Sequence, residues 1–302
     1  MTAPIRVGTR RSPLARIQTD HVLQYLRRGT PTRRFVPTPI DTSGDRDRGP
    51  GGSTDYTDAI DRALATGAVD LAVHSAKDLP AELDPRFVLA ACPPREDPRD
   101  CLVVAGHLRP ERLPLGARIG SSSLRRRAQL LRWRPDLSVV EIRGNVGTRL
   151  ELVRSGTIDA AILAVAGISR LGRASEIGRV LPPTNFLPAP AQGALAVLAR
   201  ADDASLVRAV RRIDHAPTHW CVDAERAFSA ELGGDCQVPL GALATLRGRT
   251  LSVTGEVLTP DGSARLRGRR AGPVTRSDGI GRTLGRGLLE RGALALRTPA
   301  RM

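Results

Sequence analysis

Two patterns of apolar residues follow one another along most of the chain: short apolar runs, and apolar residues at helical spacing. The run Leu71–Val73, closed by Pro80, predicts a buried strand. Helical spacing predicts a first helix that begins at Pro13, after a capping residue at Ser12, and ends at Gly29. Its apolar positions are Leu14, Ile17, Val22 and Leu26. Strands followed by helices in this way are typical of a parallel sheet covered by helices.

The same alternation continues until about residue 213, with two interruptions. Further strands are predicted at 35–40, 87–91, 101–104, 139–142 and 158–166, and further helices at 58–65 and 204–213 and from about 124. Proline-rich segments interrupt this pattern near residue 96 and near residue 191. We interpret them as crossings of the chain between two sheets, as a two-lobed architecture requires.

The predicted fold class is therefore α/β, with two periplasmic-binding-protein-like domains joined by hinge crossings and a small α+β C-terminal domain. Domain 1 comprises residues 1–95 and 194–213, domain 2 residues 96–193, and domain 3 residues 214–302. The elements predicted in domain 3 are a helix that includes 224–228, strands at 241–246 and 251–258, and a helix at 280–291.

Charge adds a constraint, because the 302 residues carry a formal net charge of +15. Such an excess favours nucleic acid, a membrane surface or small polyanions as partners. Arginines are spread over the whole chain, however, and aromatic residues make up only 3%, whereas a nucleic-acid module concentrates its charge beside stacking aromatics. We therefore expect no nucleic-acid partner. An arginine-rich genome is an alternative explanation for part of the excess.

Membrane segments, disulfides and metal sites are not expected. The N-terminal residues enter a strand pattern without an apolar leader, and no later apolar run is long enough to span a membrane, so we expect a cytoplasmic protein. The four cysteines are too scattered for a disulfide framework. His215, His219 and Cys221 have spacing that could hold a metal, but Pro217 intervenes and a fourth ligand is missing nearby.

The first candidate site follows the strand at Leu71–Val73. Lys77 is the one lysine among 46 basic residues, so this position distinguishes a compact ammonium from a planar guanidinium. The strand would deliver Ser75, Lys77 and Asp78 to the carboxyl edge of a parallel sheet, where open α/β sheets bind ligands. A surface Lys-Asp pair without function is the alternative.

Arginines also recur where predicted strands lead into helices. Arg10 precedes the first helix, whose free backbone N–H groups favour an anion. Arg125 and Arg126 open another helix, where basic side chains oppose the helix dipole unless a bound anion reverses the sign. The positions of this kind are Arg10, Arg125, Arg126, Arg143, Arg149 and Arg170. Together they predict a polyanionic ligand, and a solvated surface charge is the alternative for each one alone.

Six motifs, in order along the chain, resemble those of the porphobilinogen deaminase family. They are VGTRRSPLA at 7–15, LAVHSAKDLP at 71–80, REDPRD at 95–100, GSSSLRR at 120–126, IRGNVGTR at 142–149 and CQVPLGA at 236–242. The resemblance covers most of the chain, and the combination is specific because both order and spacing agree.

The resemblance implies a three-domain enzyme, expected to be a monomer. Its reaction condenses four porphobilinogen molecules, with loss of ammonia, into the linear tetrapyrrole hydroxymethylbilane. Each pyrrole carries an acetate and a propionate, so the growing chain is the polyanion that the arginines predict.

The resemblance also implies roles for individual residues. Cys236 would hold a dipyrromethane cofactor, the primer of the reaction, through a thioether, for which a thiol on a glycine-rich loop is chemically suited. Asp78 would be the catalytic carboxylate. The residues implied to bind the acidic groups of cofactor and substrate are Arg10, Ser12, Ser75, Lys77, Ser121, Ser123, Arg125, Arg126, Arg143, Arg149 and Arg170, and Gln192 matches the hinge of the family.

Three positions depart from the family pattern. The segment 46–57 lacks the usual glycine-lysine lid motif and reads as a mobile loop, Ser43 replaces a basic residue, and Asp235 replaces a glycine before Cys236, where its charge disfavours a thiolate. We expect an active enzyme with altered turnover. The alternatives are a catalytically impaired paralogue and a non-enzymatic two-lobed binding protein for a small polycarboxylate.

Overall fold

The structure, a computed structural model, describes residues 3–43, 56–106, 108, 112–234 and 238–297. The predictions for Asp235, Cys236 and residues 46–55 therefore concern positions outside these ranges.

Strands and helices alternate over most of the described chain. The strands are β1 Ile5–Arg10, β2 Phe35–Ile40, β3 Leu71–Ser75, β4 Phe87–Ala91, β5 Asp100–Val104, β6 Arg118–Gly120, β7 Ser138–Val140, β8 Ala160–Ala164, β9 Arg179–Val180, β10 Leu195–Arg200, β11 Leu240–Arg247, β12 Thr250–Leu258 and β13 Arg265–Pro273. The helices are α1 Pro13–Gly29, α2 Asp58–Ala65, α3 Leu124–Trp133, α4 Val146–Arg154, α5 Val165–Arg170, α6 Ala204–Val210, α7 Ala216–Glu231 and α8 Ser277–Glu290.

The chain divides into two compact units. Unit 1 comprises Met1–Glu96 and Gly193–His219, and unit 2 comprises Asp97–Gln192 and Trp220–Met302. Residues 220–302 thus belong to the same unit as residues 97–192, and the boundary of a separate third domain stays a prediction.

Unit 1 contains a five-stranded sheet with the order β2-β1-β3-β10-β4. Strands β1, β2 and β3 are parallel, and β10 lies antiparallel between β3 and β4. Helix α1 covers this sheet with Val22, Leu23 and Leu26, all buried, because these positions share one helical face. The predicted bounds of α1 and its Ser12 cap are confirmed.

A second five-stranded sheet in unit 2 has the order β7-β6-β8-β5-β9. It repeats the plan of the first sheet, since β6, β7 and β8 are parallel and β5 lies antiparallel between β8 and β9. In unit 1 the antiparallel strand β10 is the first strand after the chain returns to that unit, and in unit 2 the antiparallel strand β5 is the first strand after the chain enters it. The carboxyl ends of three parallel strands therefore share one edge in each sheet.

The C-terminal part of unit 2 has a core of its own. Strands β11, β12 and β13 form an antiparallel sheet on which helices α7 and α8 pack through Phe228 and Leu284. This confirms the α/β fold class with a small α+β C-terminal part. The sequence prediction missed β13, because its arginines hide the apolar pattern of a strand. The final helix also begins at Ser277, three residues before the predicted start.

Candidate active site

The carboxyl edge of the first sheet carries the predicted catalytic residue. Strand β3 ends at Ser75, and a single 3-10 turn over Ala76–Asp78 follows it. The side chain of Asp78 is half-buried, and within the described ranges its carboxylate makes no hydrogen bond or ion pair. Half-burial lowers the local dielectric, so this carboxylate interacts more strongly with a positive charge than one in bulk water.

Residues from two strands meet at this edge. Strands β1 and β3 are parallel neighbours, with Val7 opposite Leu71, so their carboxyl ends lie side by side. The edge thereby brings the segments with Arg10 and Ser12 next to the segment with Asp78. Ser12 caps α1 by accepting a hydrogen bond from Ala15 N at 3.3 Å, and the first turn of α1 has no acidic residue.

Two contacts at this edge were absent from the sequence predictions. The Arg10 guanidinium lies 4.2 Å from the ring centroid of Tyr56, a cation-π contact. Gln18 Nε2 donates a hydrogen bond to Ser75 Oγ at 3.0 Å, so this hydroxyl is tied to helix α1. The only signal for Tyr56 was an aromatic residue at the end of the predicted lid.

The carboxyl edge of the second sheet carries the predicted hydroxyl groups. Ser123 caps α3, since its Oγ accepts a hydrogen bond from Arg126 N at 3.4 Å. Ser121 Oγ accepts one from Ser123 N at 3.2 Å. Arg149, on α4, donates from Nη2 to Ser122 Oγ at 3.2 Å and therefore joins the starts of the two helices. Neither helix has an acidic residue in its first turn, so both starts favour anions.

Arg125 and Arg126 share a buried carboxylate that the sequence prediction missed. Arg125 Nη1 lies 2.7 Å from Asp100 Oδ2, and Arg126 Nη2 lies 2.8 Å from Asp100 Oδ1. Asp100 itself is fully buried at the start of β5. Burial alone would raise the pKa of Asp100, but the charges of the two arginines hold it well below its usual range. An internal carboxylate thus compensates the basic first turn of α3, where the sequence predicted a bound anion.

Gln192 belongs to the same buried cluster. Its Nε2 donates to Pro98 O at 2.8 Å and to Asp100 Oδ1 at 2.9 Å. Its Oε1 accepts from Arg126 Nη2 at 3.4 Å. The predicted hinge glutamine therefore helps to hold Asp100, the carboxylate that pairs with both arginines.

The remaining two predicted arginines differ in their surroundings. Arg143 Nε donates to Glu141 Oε1 at 2.8 Å, so a neighbouring carboxylate already holds it. Strand β8 ends at Ala164 and helix α5 begins directly at Val165, so the helix starts before Arg170. The sequence predicted Arg170 at a strand-to-helix turn, whereas the structure places it at the C-terminal end of α5.

The donors at this edge fit a ligand with carboxylate groups. All hydrogen bonds of Arg125 to the described residues come from Nη1, which leaves Nε and Nη2 as donors. A guanidinium with one nitrogen anchored and two nitrogens available matches the geometry of a carboxylate. Carboxylates on pyrrole rings are groups of this chemistry.

The described cysteines do not fit covalent attachment of a cofactor. Cys92, Cys101 and Cys221 are all buried. Burial raises the pKa of the Cys101 thiol to about 12, so it is a poor nucleophile. Cys236 lies outside the described residues.

The described residues contain no cluster of His, Cys, Asp or Glu side chains that could hold a metal ion. Likewise, no helix in the described ranges is long and apolar enough to cross a membrane.

The fold and these edges define an α/β protein in which helix starts that favour anions lie at a sheet edge in each unit. Comparison with known proteins is more specific. The model "Porphobilinogen deaminase, dipyromethane cofactor binding domain" matches residues 5–208. The model "Porphobilinogen deaminase, C-terminal domain" matches residues 219–290.

Two curated relatives agree with these models. A porphobilinogen deaminase from Nocardia farcinica is 46% identical over 97% of this chain and 88% of its own length. One from Desulforudis audaxviator is 43% identical over 97% of this chain and 96% of its own length. The chain belongs to the porphobilinogen deaminase family, and the predicted resemblance is confirmed.

Solved structures add a weaker likeness. The periplasmic aliphatic sulphonate binding protein SsuA from Escherichia coli is 15% identical with a TM-score of 0.43, covering 78% of this chain and 73% of that chain. The fold assignment above therefore rests on the strand orders of this chain.

Proposed function

We propose that this enzyme condenses four porphobilinogen molecules head to tail, with release of ammonia, into the linear tetrapyrrole hydroxymethylbilane. Family membership supports the reaction class. The observation that carries the proposal is the Asp78 carboxylate, which is half-buried at the carboxyl end of β3 and makes no hydrogen bond or ion pair with any described residue.

Asp78 is the proposed catalytic residue. As porphobilinogen loses its amino group, positive charge develops on the pyrrole and its attached methylene carbon. A fixed carboxylate beside that ring accepts the pyrrole N–H hydrogen bond and stabilises the charge. In its protonated form the Asp78 carboxyl can first pass its proton to the departing amine, and this transfer leaves the carboxylate that stabilises the charge. Since Asp78 makes no hydrogen bond or ion pair with a described residue, no such contact has to be broken before it acts in either role.

The proposed carboxylate-binding residues fall into two groups. Arg10, Ser12, Ser75 and Lys77 belong to unit 1. Those of unit 2 are Ser121, Ser123, Arg125, Arg126, Arg143, Arg149 and Arg170. Because Arg126 and Gln192 are bound to Asp100, we assign them mainly to holding Arg125 in place. Arg125 would bind a carboxylate through Nε and Nη2.

The dipyrromethane cofactor, when bound, supplies the terminal pyrrole to which the first substrate is joined. We propose Cys236 as its attachment point. Burial of Cys92, Cys101 and Cys221 supports this choice, because a thioether to any of them requires opening a core. Activity as a monomer in the cytoplasm stays a prediction.

Ammonia release on addition of porphobilinogen tests the proposal. We expect about one ammonia for each porphobilinogen consumed, together with a linear tetrapyrrole as product. The Asp78→Asn variant should fold and bind porphobilinogen but lose at least about 100-fold in kcat, as expected for a general acid. Binding of porphobilinogen without ammonia release would instead support a non-enzymatic binding protein and would contradict the proposal.

A further inference from the structure

A buried carboxylate of the C-terminal sheet contacts the helix that carries Arg125. Glu256 lies on β12 and is fully buried. Its Oε1 accepts a hydrogen bond from Gln129 Nε2 at 2.7 Å, and Gln129 lies on α3, one helical turn after Arg125. Its other oxygen faces two arginines of β13, at 3.3 Å from Arg267 Nη1 and 3.7 Å from Arg265 Nη1.

Gln129 passes this contact on to Arg125. Gln129 Oε1 accepts a hydrogen bond from Arg125 Nη1 at 3.0 Å. The carbonyl of Leu187 accepts from both side chains, at 2.9 Å from Gln129 Nε2 and 2.7 Å from Arg125 Nη1. A continuous chain of hydrogen bonds therefore runs from Glu256 through Gln129 to Arg125.

The direction of this chain depends on the charge of Glu256. An ionised carboxylate only accepts hydrogen bonds, whereas an amide has a donor end and an acceptor end. Glu256 and Leu187 O therefore both hold the N–H end of Gln129, which leaves its oxygen end for Arg125. The reverse orientation would set amide N–H groups against the Arg125 guanidinium and an amide oxygen against the Glu256 carboxylate.

Neighbouring hydrogen-bond donors and positive charges favour the ionised form of Glu256. Burial raises the pKa of Glu256, and the Gln129 hydrogen bond together with the charges of Arg267 and Arg265 opposes that rise. Both carboxylate oxygens face donors, which is the arrangement expected of an acceptor.

A second contact holds α3 against the same sheet. Arg132 Nη1 donates to Gly262 O at 3.4 Å, in the turn between β12 and β13. Gly262 has φ +75°, and a Cβ added there would lie 2.2 Å from Ala128 O. The turn and helix are therefore in direct backbone contact on either side of Gln129. This close fit prevents the helix from adjusting if the Gln129 contact is lost.

We propose that Glu256 is a positioning residue that acts on Arg125 through Gln129. It holds Arg125 with Nη1 turned towards Asp100 and Leu187, and Nε and Nη2 available for a carboxylate of the pyrrole chain. The inference rests on the proposed function for the identity of that carboxylate. It assigns the C-terminal sheet a role in the affinity of the arginine site.

The test is a double-mutant cycle on the two side chains. Glu256→Gln removes the charged acceptor that, together with Leu187 O, holds the N–H end of Gln129. We therefore expect about a tenfold rise in KM for porphobilinogen, and a smaller fraction of purified protein that carries the added mass of two linked pyrroles. In the double variant Glu256→Gln with Gln129→Met, KM and this fraction should be no worse than in Gln129→Met alone, because both side chains act through one contact.

The cycle separates this role from a structural one. If Glu256 served only to pair with Arg265 and Arg267, the losses of the two single variants would add in the double variant. Equal values in Gln129→Met and the double variant therefore support the proposal, and additive losses overturn it. Unchanged loading and KM in Glu256→Gln, with only a lower Tm, would also overturn it.

Two single variants complete the design. Gln129→Met interrupts the chain while Glu256 keeps its arginines, so it should reproduce the loss even if Glu256→Gln folds poorly. Wild-type loading and KM in Gln129→Met would overturn the proposal. Arg269→Gln is the matched control, since Arg269 lies on β13 and its side chain bonds to Ser252 rather than to Glu256. Wild-type protein without added mass and without ammonia release would contradict the proposed function itself, a result distinct from all of these.

Discussion

Arg125 Nη1 donates a hydrogen bond to Asp100 Oδ2 at 2.7 Å where the Asp100 side chain is fully buried. The same carboxylate accepts from Arg126 through its other oxygen. One negative charge thus supports two guanidinium groups in the first turn of α3. Removing it would leave both buried guanidinium groups without a carboxylate at ion-pair distance among the described residues.

Asp100→Asn should therefore destabilise the protein strongly. We expect a loss of about 3 to 5 kcal/mol in the free energy of unfolding, as for other buried pairs that lose one partner. Urea unfolding of the variant and wild type measures it. The control is Asp58→Asn, whose pair with Arg62 is exposed and should change stability by less than about 0.5 kcal/mol. Equal effects of the two variants would contradict the assigned role of Asp100.

The contribution of Asp100 should also depend on pH. Its pKa is lowered in the folded protein, whereas an aspartate in an unfolded chain has a pKa of about 3.9. Stability from the ionised group is then fully present above the unfolded pKa and is lost as the pH falls towards the folded pKa. The stability difference between wild type and Asp100→Asn should be constant from about pH 7 to 5 and shrink below about pH 4. A difference independent of pH would show that ionisation of Asp100 is not its source.

A glycine in the turn between β12 and β13 should be hard to replace. Gly262 combines φ +75° with a predicted Cβ contact of 2.2 Å to Ala128 O, whereas Gly248 has φ +57° and open space around its Cβ position. Both alanine variants carry the strain of a positive φ, about 1 to 2 kcal/mol, but only Gly262→Ala also displaces backbone. We expect it to lower the free energy of unfolding by at least about 1 kcal/mol more than Gly248→Ala. Equal losses would argue against close packing of this turn on α3.

The single lysine offers a test of site geometry. Lys77 and Asp78 are adjacent in one tight 3-10 turn, and both side chains are half-buried. A guanidinium is planar and bulkier than an ammonium, so Lys77→Arg should crowd Asp78. We expect about a tenfold loss of kcat/KM, equivalent to about 1.4 kcal/mol, with Tm nearly unchanged. Full activity of Lys77→Arg would refute this explanation for the lysine.

The sequence predicted most of the sheet elements because their signals are local. Apolar spacing and the Ser12 cap set the bounds of α1, and the run before Ser75 predicted β3. Strand β13 was missed because arginines occupy positions along an edge strand, where exposed charge is tolerated.

The candidate site was predicted less completely, because burial is a property of tertiary structure. Asp100 stands in a charged, proline-rich segment that resembles a surface crossing, yet it is fully buried. Gln129 and Glu256 are separated by 127 residues, so their contact has no local signal. The sequence singled out Arg125 and Arg126 on α3 as a local conflict with the helix dipole, but the carboxylate that resolves this conflict, Asp100, lies on strand β5.

The intact mass of the purified protein tests the central claim most directly. Wild-type protein expressed with substrate available should exceed the mass of its chain by two linked pyrrole units, and Cys236→Ser should abolish the excess. Cys221→Ser, which changes a buried thiol, should retain it. An unmodified mass in folded wild-type protein, or an excess that survives in Cys236→Ser, would contradict the account.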